Sequence, residues 1–495
     1  MKLKHIFQKK GTMTVDKCVL IRYLPAVIVF TFFFNAILTG QLASIDARVV
    51  LYPVPASIES SPDYSVFVNG QKVFVYNPKV KTGREHPQKN MGMCYFDCID
   101  SATVTVHANV SMADVVIRPK SYGIKPVIKD HDITFTIRKM QKVTIEPNGY
   151  EYNALVIFAN AVDPNPPKQG DPNVIYFGPG IHTPGQIYLQ SNQTIYLAGG
   201  AVVRGHISAT GATNSKIMGH GIIDQSIQSI EESYFNFIFL ENCSNITIDG
   251  PILLDNIGWC VNVRNCKNIT ISDMKLIAWN QNTDGIDVVG SSNCTIDNCY
   301  IRNWDDGVAI KSSAPRVHNI MVQNCIFWSD LAEAVDIGYE CETDLMDSMT
   351  FKNIDIIHAF SNNAISIHNS GQAEVRDVLF EDIRIEDMDP LYTNTDRWPN
   401  NELTPGTHVV DLWIGKSNWT KTGGQGTVRN IYFKNISVTV KPRAQFPMSS
   451  IIGFDASHTI EGVTFENFTI NGEKMMKASD AYMNLNSYVK NVTFR

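Results

Sequence analysis

Charge is scarce in this 495-residue chain: Asp, Glu, Lys and Arg together make up 18%, with a balance of −7. A disordered chain would carry more charge and fewer apolar residues than the 44% present here. The basic excess of a nucleic-acid binder is missing, so no nucleic-acid partner is expected. There is no paired C-x-x-C and no histidine cluster at ligand spacing, which argues against zinc. No metal or other cofactor is expected. Helical periodicity is absent, and outside one N-terminal stretch no long apolar run occurs. What remains is full of turns. The 32 glycines, 22 prolines and many asparagines separate short β-branched runs, as in an all-β chain.

The exception lies at the start. Lys2, Lys4, Lys9, Lys10, Lys17 and Arg22 precede an apolar run from Leu24 to Leu38, and Thr39-Gly-Gln-Leu-Ala follows. This is the order of a secretory signal, and the run is short for a spanning helix. A signal anchor is the rival reading, because no clean A-x-A site follows. Residues 1–45 are read as a signal peptide or signal anchor of an exported protein, whether secreted, periplasmic or on the cell surface. Ten cysteines in an exported chain raise the question of disulfides. However, Cys243, Cys266, Cys294, Cys299 and Cys325 fall in a repeated pattern that suits small residues stacked in a core.

The repeat decides the fold. Asn245-Ile-Thr-Ile-Asp, Asn268-Ile-Thr-Ile-Ser, Asn293-Cys-Thr-Ile-Asp and Asn319-Ile-Met-Val-Gln are copies of one unit. Later copies read Met349-Thr-Phe-Lys-Asn, Val378-Leu-Phe-Glu-Asp, Ile431-Tyr-Phe-Lys-Asn and Val463-Thr-Phe-Glu-Asn. Their spacing of 23 to 32 residues, with one step of 53, is that of a solenoid. Short β-branched runs between Asn, Asp and Gly make it a parallel β-helix with coils about 4.8 Å apart. Leucine-rich repeats lack support, since the LxxLxL spacing is missing. Recurrent N-x-[ST] sequons are read as asparagines stacked at a coil turn rather than as glycosylation sites. The expected architecture is all-β. A small β-sandwich at 46–150 precedes a parallel β-helix at 151–495, which carries an insertion or extra coil at about 386–428. The sandwich rests on alternating runs such as Tyr64-Ser-Val-Phe-Val and Ile133-Thr-Phe-Thr-Ile.

Two stretches carry chemistry: Asn282-Thr-Asp-Gly-Ile-Asp and Trp304-Asp-Asp-Gly-Val-Ala-Ile-Lys. Aligning them puts Asp284 on Asp306, one coil apart, with Asp305 adjoining. Asp-Gly alone is a turn signal. Three acids in register on one outer face are a site, because like charges this close raise at least one pKa. A protonated carboxyl beside an ionised one suits glycoside hydrolysis.

The order Gly219-His-Gly-Ile-Ile-Asp, Asn282-Thr-Asp, Asp305-Asp306-Gly resembles the polygalacturonase family of glycoside hydrolases, family 28. It is also similar to the related dextranase and isopullulanase family, family 49. The resemblance implies a right-handed β-helix and an inverting hydrolase. Asp305 would be the general acid, and Asp284 and Asp306 would hold and activate water. Two departures bear on the substrate. Ala332-Glu333-Ala334 stands where the family carries Gly-His-Gly, and Ser366 and His368 replace the Arg and Lys that grip a uronate. The Val335-Asp336-Ile-Gly-Tyr run and the N-terminal sandwich look more like the dextranase side.

All seven tryptophans fall between 259 and 419, around the acids, where aromatic rings suit sugar faces. Asn282, Trp259, Trp304, Lys311, Glu333, Asp336 and His368 are the candidate substrate contacts. The expected partner is a polysaccharide, pectin-related or a neutral α-glucan, bound by a monomer. A lyase or epimerase, or a non-catalytic carbohydrate-binding solenoid, are the competing functions.

Overall fold

The computed structural model describes residues 48–82, 87–227, 236–313, 315–360, 363–388, 408–421, 424–440 and 448–495. The expected signal segment, Trp398 and the 389–407 part of the insertion lie outside them. Asp46–Arg495 forms one compact unit.

Two five-stranded sheets stack at the N-terminal end. One contains Tyr64–Val68, Ser101–Ala108 and Asp132–Arg138, whose alternating burial is the period-2 signal seen in the sequence. The other contains Gly92–Cys98, Lys142–Pro147 and Leu155–Ala161. The sandwich therefore extends to Ala161, past the expected boundary at 150. The reason is that this second sheet is buried on both faces, so its strands read as continuous runs. Inward, Phe96 and Ile157 meet Val66, Val104 and Ile133 of the first sheet. Outward, Met93, Tyr95, Val156 and Phe158 pack on Ile277, Tyr300, Ile326 and Trp328 of the solenoid. Buried ion pairs stitch the same interface: Lys142 Nζ lies 2.7 Å from Asp273 Oδ1, and Arg118 bridges Glu146 and Glu386.

From Val174 onward each strand pairs in parallel with its counterpart one coil away, giving three ladders along a right-handed β-helix. A sandwich face runs through Ile252–Leu254, Lys275–Ile277, Tyr300–Asn303 and Ile326–Ser329. A groove face runs through Val261–Arg264, Ile286–Val289, Val308–Ser312, Val335–Cys341, Ile365–Asn369 and Val410–Ile414. The third face holds the asparagine repeat.

That repeat has a physical meaning. Asn245, Asn268, Asn293 and Asn319 all have φ between 53° and 58°, the left-handed conformation that asparagine tolerates. Each donates its side-chain amide to the asparagine one coil earlier at 2.9–3.0 Å. The Phe of the later copies forms a second column: Phe351, Phe380, Phe433, Phe465 and Phe494 stack at 4.7–4.9 Å between centroids. The nine described cysteines are unpaired and buried, and Cys243, Cys266, Cys294, Cys299 and Cys325 lie in the solenoid core, where the repeat places them. Replacing Asn268 by Ala removes two amide bonds and puts a Cβ with no local hydrogen bond at φ 57°. The expected cost is about 1–3 kcal/mol, read as a lower thermal midpoint. An unchanged midpoint would show that the ladder is ornamental.

The step of 53 residues is one coil, since Val378 pairs directly with Ile431. Within it, Val410–Ile414 is an ordinary groove-face strand, with Val410 and Leu412 inward and Asp411 and Trp413 outward. The expected insertion at about 386–428 thus contains an ordinary strand of the coil.

Candidate active site

The turns that lead from the sandwich face to the groove face carry the chemistry. On successive coils they place Trp259, Asp284, Asp306 and Glu333 in one column. The backbone confirms the register: Cys260 N–H donates to Asp284 O, Gly285 N–H to Asp306 O, and Gly307 N–H to Glu333 O, at 2.7–2.8 Å. The glycine of each Asp-Gly pair is required by close approach. A Cβ on Gly285 would stand 2.3 Å from Gly307 O, and one on Gly307 would stand 2.5 Å from Ala334 O. These two coils must therefore carry glycine there to let the two carboxylates stack.

Asp284, Asp305 and Asp306 line one cavity of about 350 Å³. Asn282, Trp259, Trp304 and Lys311 line it too, so seven of the ten expected site residues come together. The remaining wall was not anticipated as site: Gln281, Leu331, Tyr339, Glu340 and Asn418, with Trp419 weighed only as one of the tryptophans. Glu340 follows the Val335-Asp-Ile-Gly-Tyr run, and its outward place on the groove face was the signal available for it.

Glu333, Asp336 and His368 are not groove contacts. They are 0%, 0% and 2% exposed and lie behind the cavity wall. His368 Nδ1 is 3.2 Å from Asp336 Oδ1 and 3.8 Å from Glu333 Oε1, and its Nε2 is 3.2 Å from Asp411 Oδ2. Tyr339, stacked on the imidazole at 4.5 Å, separates it from the cavity, and Trp413 packs edge-on against both. Ser366, at the other expected clamp position, is buried and donates to Asp336 Oδ1 at 2.7 Å. Asp336, Ser366 and His368 leave the groove face outward, as register requires, but the aromatic rings on His368 and the contacts among these side chains keep them buried. His220 of the Gly-His-Gly-Ile-Ile-Asp segment likewise serves the domain junction, 2.9 Å from Asp97 Oδ2.

Lys311 is buried in the cavity wall. Its Nζ lies 2.7 Å from Asp284 Oδ2 and 2.8 Å from Asp287 Oδ1, and 4.2 Å from the centre of the Trp259 ring. Burial would lower its pKa, but Asp284 and Asp287 hold it well above the ordinary value. Burial pushes Asp284 up to about 7, against the pull of Lys311, and pushes Asp287 to about 6. Asp306 is raised well above the carboxylate range by burial, then by Glu333, Asp284 and Asp305. The stacked pair thus retains a proton towards neutral pH, while Lys311 holds negative charge on Asp284. His368 is held protonated by Asp336, Asp411 and Glu333, against burial.

Removing the Glu333 charge with Glu333→Gln lowers the pKa of the Asp284–Asp306 pair. If that pair must ionise to work, the acid-side limb of a pH–kcat/KM profile moves to lower pH. A limb that stays in place would show that Glu333 does not act on the pair.

Comparison with known proteins agrees with this geometry. The chain is 27% identical over 150 residues to a probable polygalacturonase of Arabidopsis thaliana, covering 30% of this chain and 32% of that one. It is 24% identical over 216 residues to probable endopolygalacturonase D of Neosartorya fischeri, covering 40% and 42%. The matched parts are less than half the length of either relative. Among solved structures, Dex49A from Penicillium minioluteum shares the fold at a TM-score of 0.59 and 18% identity, covering 90% of this chain and 96% of that one. The family model of glycosyl hydrolases family 28 matches residues 181–489. That span runs from the first coils almost to the last and includes every residue of the acidic column, so the chain belongs to glycosyl hydrolases family 28.

Proposed function

We propose that this protein is an exported, inverting glycoside hydrolase acting on a pectin-related polysaccharide. The observation that carries the reading is the convergence of Asp284, Asp305 and Asp306 on one aromatic-walled cavity, two of them stacked and proton-retaining. Asp305, the least buried of the three, donates its proton to the glycosidic oxygen of the leaving sugar. A water held by Asp284 and Asp306 attacks the anomeric carbon from the opposite face, and its proton passes to that pair. Trp259, Trp304 and Trp419 offer ring faces to flanking sugars. Export rests on the order of charges and apolar residues in 1–45, and pectin rests on the names of the relatives.

Charge sets the finer substrate choice. Asp284, Asp305, Asp306 and Glu340 face the cavity, and its one lysine is committed to Asp284 and Asp287. Among the described residues, a carboxylated sugar in the central subsite would meet four acids and no available cation in the cavity wall. The sugar cleaved there is therefore neutral, in a decorated or alternating pectin. The same observation favours a second reading, hydrolysis of a neutral α-glucan.

A panel of polygalacturonate, rhamnogalacturonan, dextran and pullulan with reducing-end detection tests this. Plain polygalacturonate is expected to be cleaved weakly or not at all. Its rapid hydrolysis at neutral pH would overturn the charge argument, and an absorbing unsaturated product would indicate a lyase.

A further inference from the structure

The N-terminal sandwich does more than cover the solenoid. Its segment 79–82 lies along the solenoid axis beside the catalytic turns. Lys79 N–H donates to Asp255 Oδ1 at 2.7 Å, and Lys79 Nζ sits 5.6 Å from the centre of the Trp279 ring. Lys81 Nζ sits 5.3 Å from the centre of the Trp304 ring, and Thr82 Oγ1 donates to Asp330 Oδ1 at 3.2 Å. Asp255, Trp279, Trp304 and Asp330 belong to four successive coils. Val80 points the other way into the interface core, which leaves Lys79 and Lys81 on one side. Trp304 lines the catalytic cavity and immediately precedes Asp305.

The cation in the cavity wall and the arginine behind it are locked. Lys311 is buried between two carboxylates, and Arg302 is buried against Asp330 and the Trp328 ring. Lys81 is half-buried, and no carboxylate among the described residues lies within ion-pair distance of it. It is thus a cation over Trp304, which itself belongs to the wall of the acid-rich cavity.

We infer that the sandwich completes the substrate groove, with Lys81 binding the carboxylate of an acidic sugar in the subsite next to the one that is cleaved. The four acids of the central cavity reject a uronate there, and Lys81 accepts one beside it. Together they select a polymer in which an acidic sugar flanks a neutral one, as in a rhamnogalacturonan backbone. The position of the subsite rests on the hydrolase reading of the central cavity. Lys81 is a specificity-determining residue and takes no part in bond cleavage.

Binding tests this without turnover. The full chain carrying Asp305→Asn is titrated calorimetrically with rhamnogalacturonan oligosaccharides, and with the same oligosaccharides after reduction of their carboxylates to alcohols. Adding Lys81→Ala is expected to weaken binding of the acidic form by about tenfold, and of the reduced form by less than about twofold. Lys81→Arg keeps the charge and should retain the preference for the acidic form. Added salt should erode that preference. Equal weakening of both forms would reduce Lys81 to a support for Trp304 and overturn the inference. So would an unchanged affinity, or no binding of the acidic form to the parent. Failure of the hydrolase reading registers separately, as absence of turnover by the unsubstituted chain on the same oligosaccharides.

Discussion

Asp305→Asn is expected to lower turnover by about 10²- to 10⁴-fold while leaving the thermal midpoint essentially unchanged. The amide keeps the shape of the side chain but has no proton to give to a leaving oxygen. Folding is spared because Asp305 is the least buried of the three acids and its charge adds to the repulsion on Asp306. The same substitution removes that contribution, which favours ionisation of Asp306. A substrate with a good leaving group needs little protonation and should recover much of the lost rate. Near-normal turnover on the natural polymer would rule out Asp305 as the acid.

Lys311→Met is expected to combine loss of activity with a large loss of stability. It leaves Asp284 and Asp287 buried without their cation. Breaking a buried pair from one side costs about 3–5 kcal/mol. The pH dependence follows from the direction of the shifts. Asp284 and Asp287 already have folded pKa values of about 7 and about 6, above those of an unfolded carboxyl. Without Lys311 they rise further, so a neutral, protonated pair can still be accommodated at low pH. The deficit is therefore smallest below the unfolded carboxyl pKa and grows as pH rises through the folded values. Thermal midpoints of parent and variant should lie closest near pH 4 and farthest apart near pH 8. Equal midpoints at pH 8 would mean that Lys311 does not neutralise the site.

What could be read in the sequence was what repeats or aligns locally. The unit apolar-x-Phe-x-Asn became a column of rings beside a ladder of amides, because a solenoid returns each position to the same place every coil. Asp284 and Asp306 could be matched for the same reason. Burial of the groove face could not be read that way. His368 points outward, yet Tyr339 and Trp413 pack on its ring and Glu333 and Asp336 lie buried beside it, and no local pattern distinguishes a covered outward residue from a free one. The sandwich strands Gly92–Cys98 and Leu155–Ala161 escaped notice because burial on both faces erases alternation. Lys81 gave no signal at all: its neighbour Trp304 lies in another domain, far along the chain.

The central claim is that the three carboxyls invert the bond they cleave. Proton NMR of the first reducing ends released from a cleaved oligosaccharide tests it most directly. The account predicts an anomeric configuration opposite to that of the bond broken, appearing before mutarotation mixes the two. A first product that retains the original configuration, or an unsaturated sugar in its place, would contradict it.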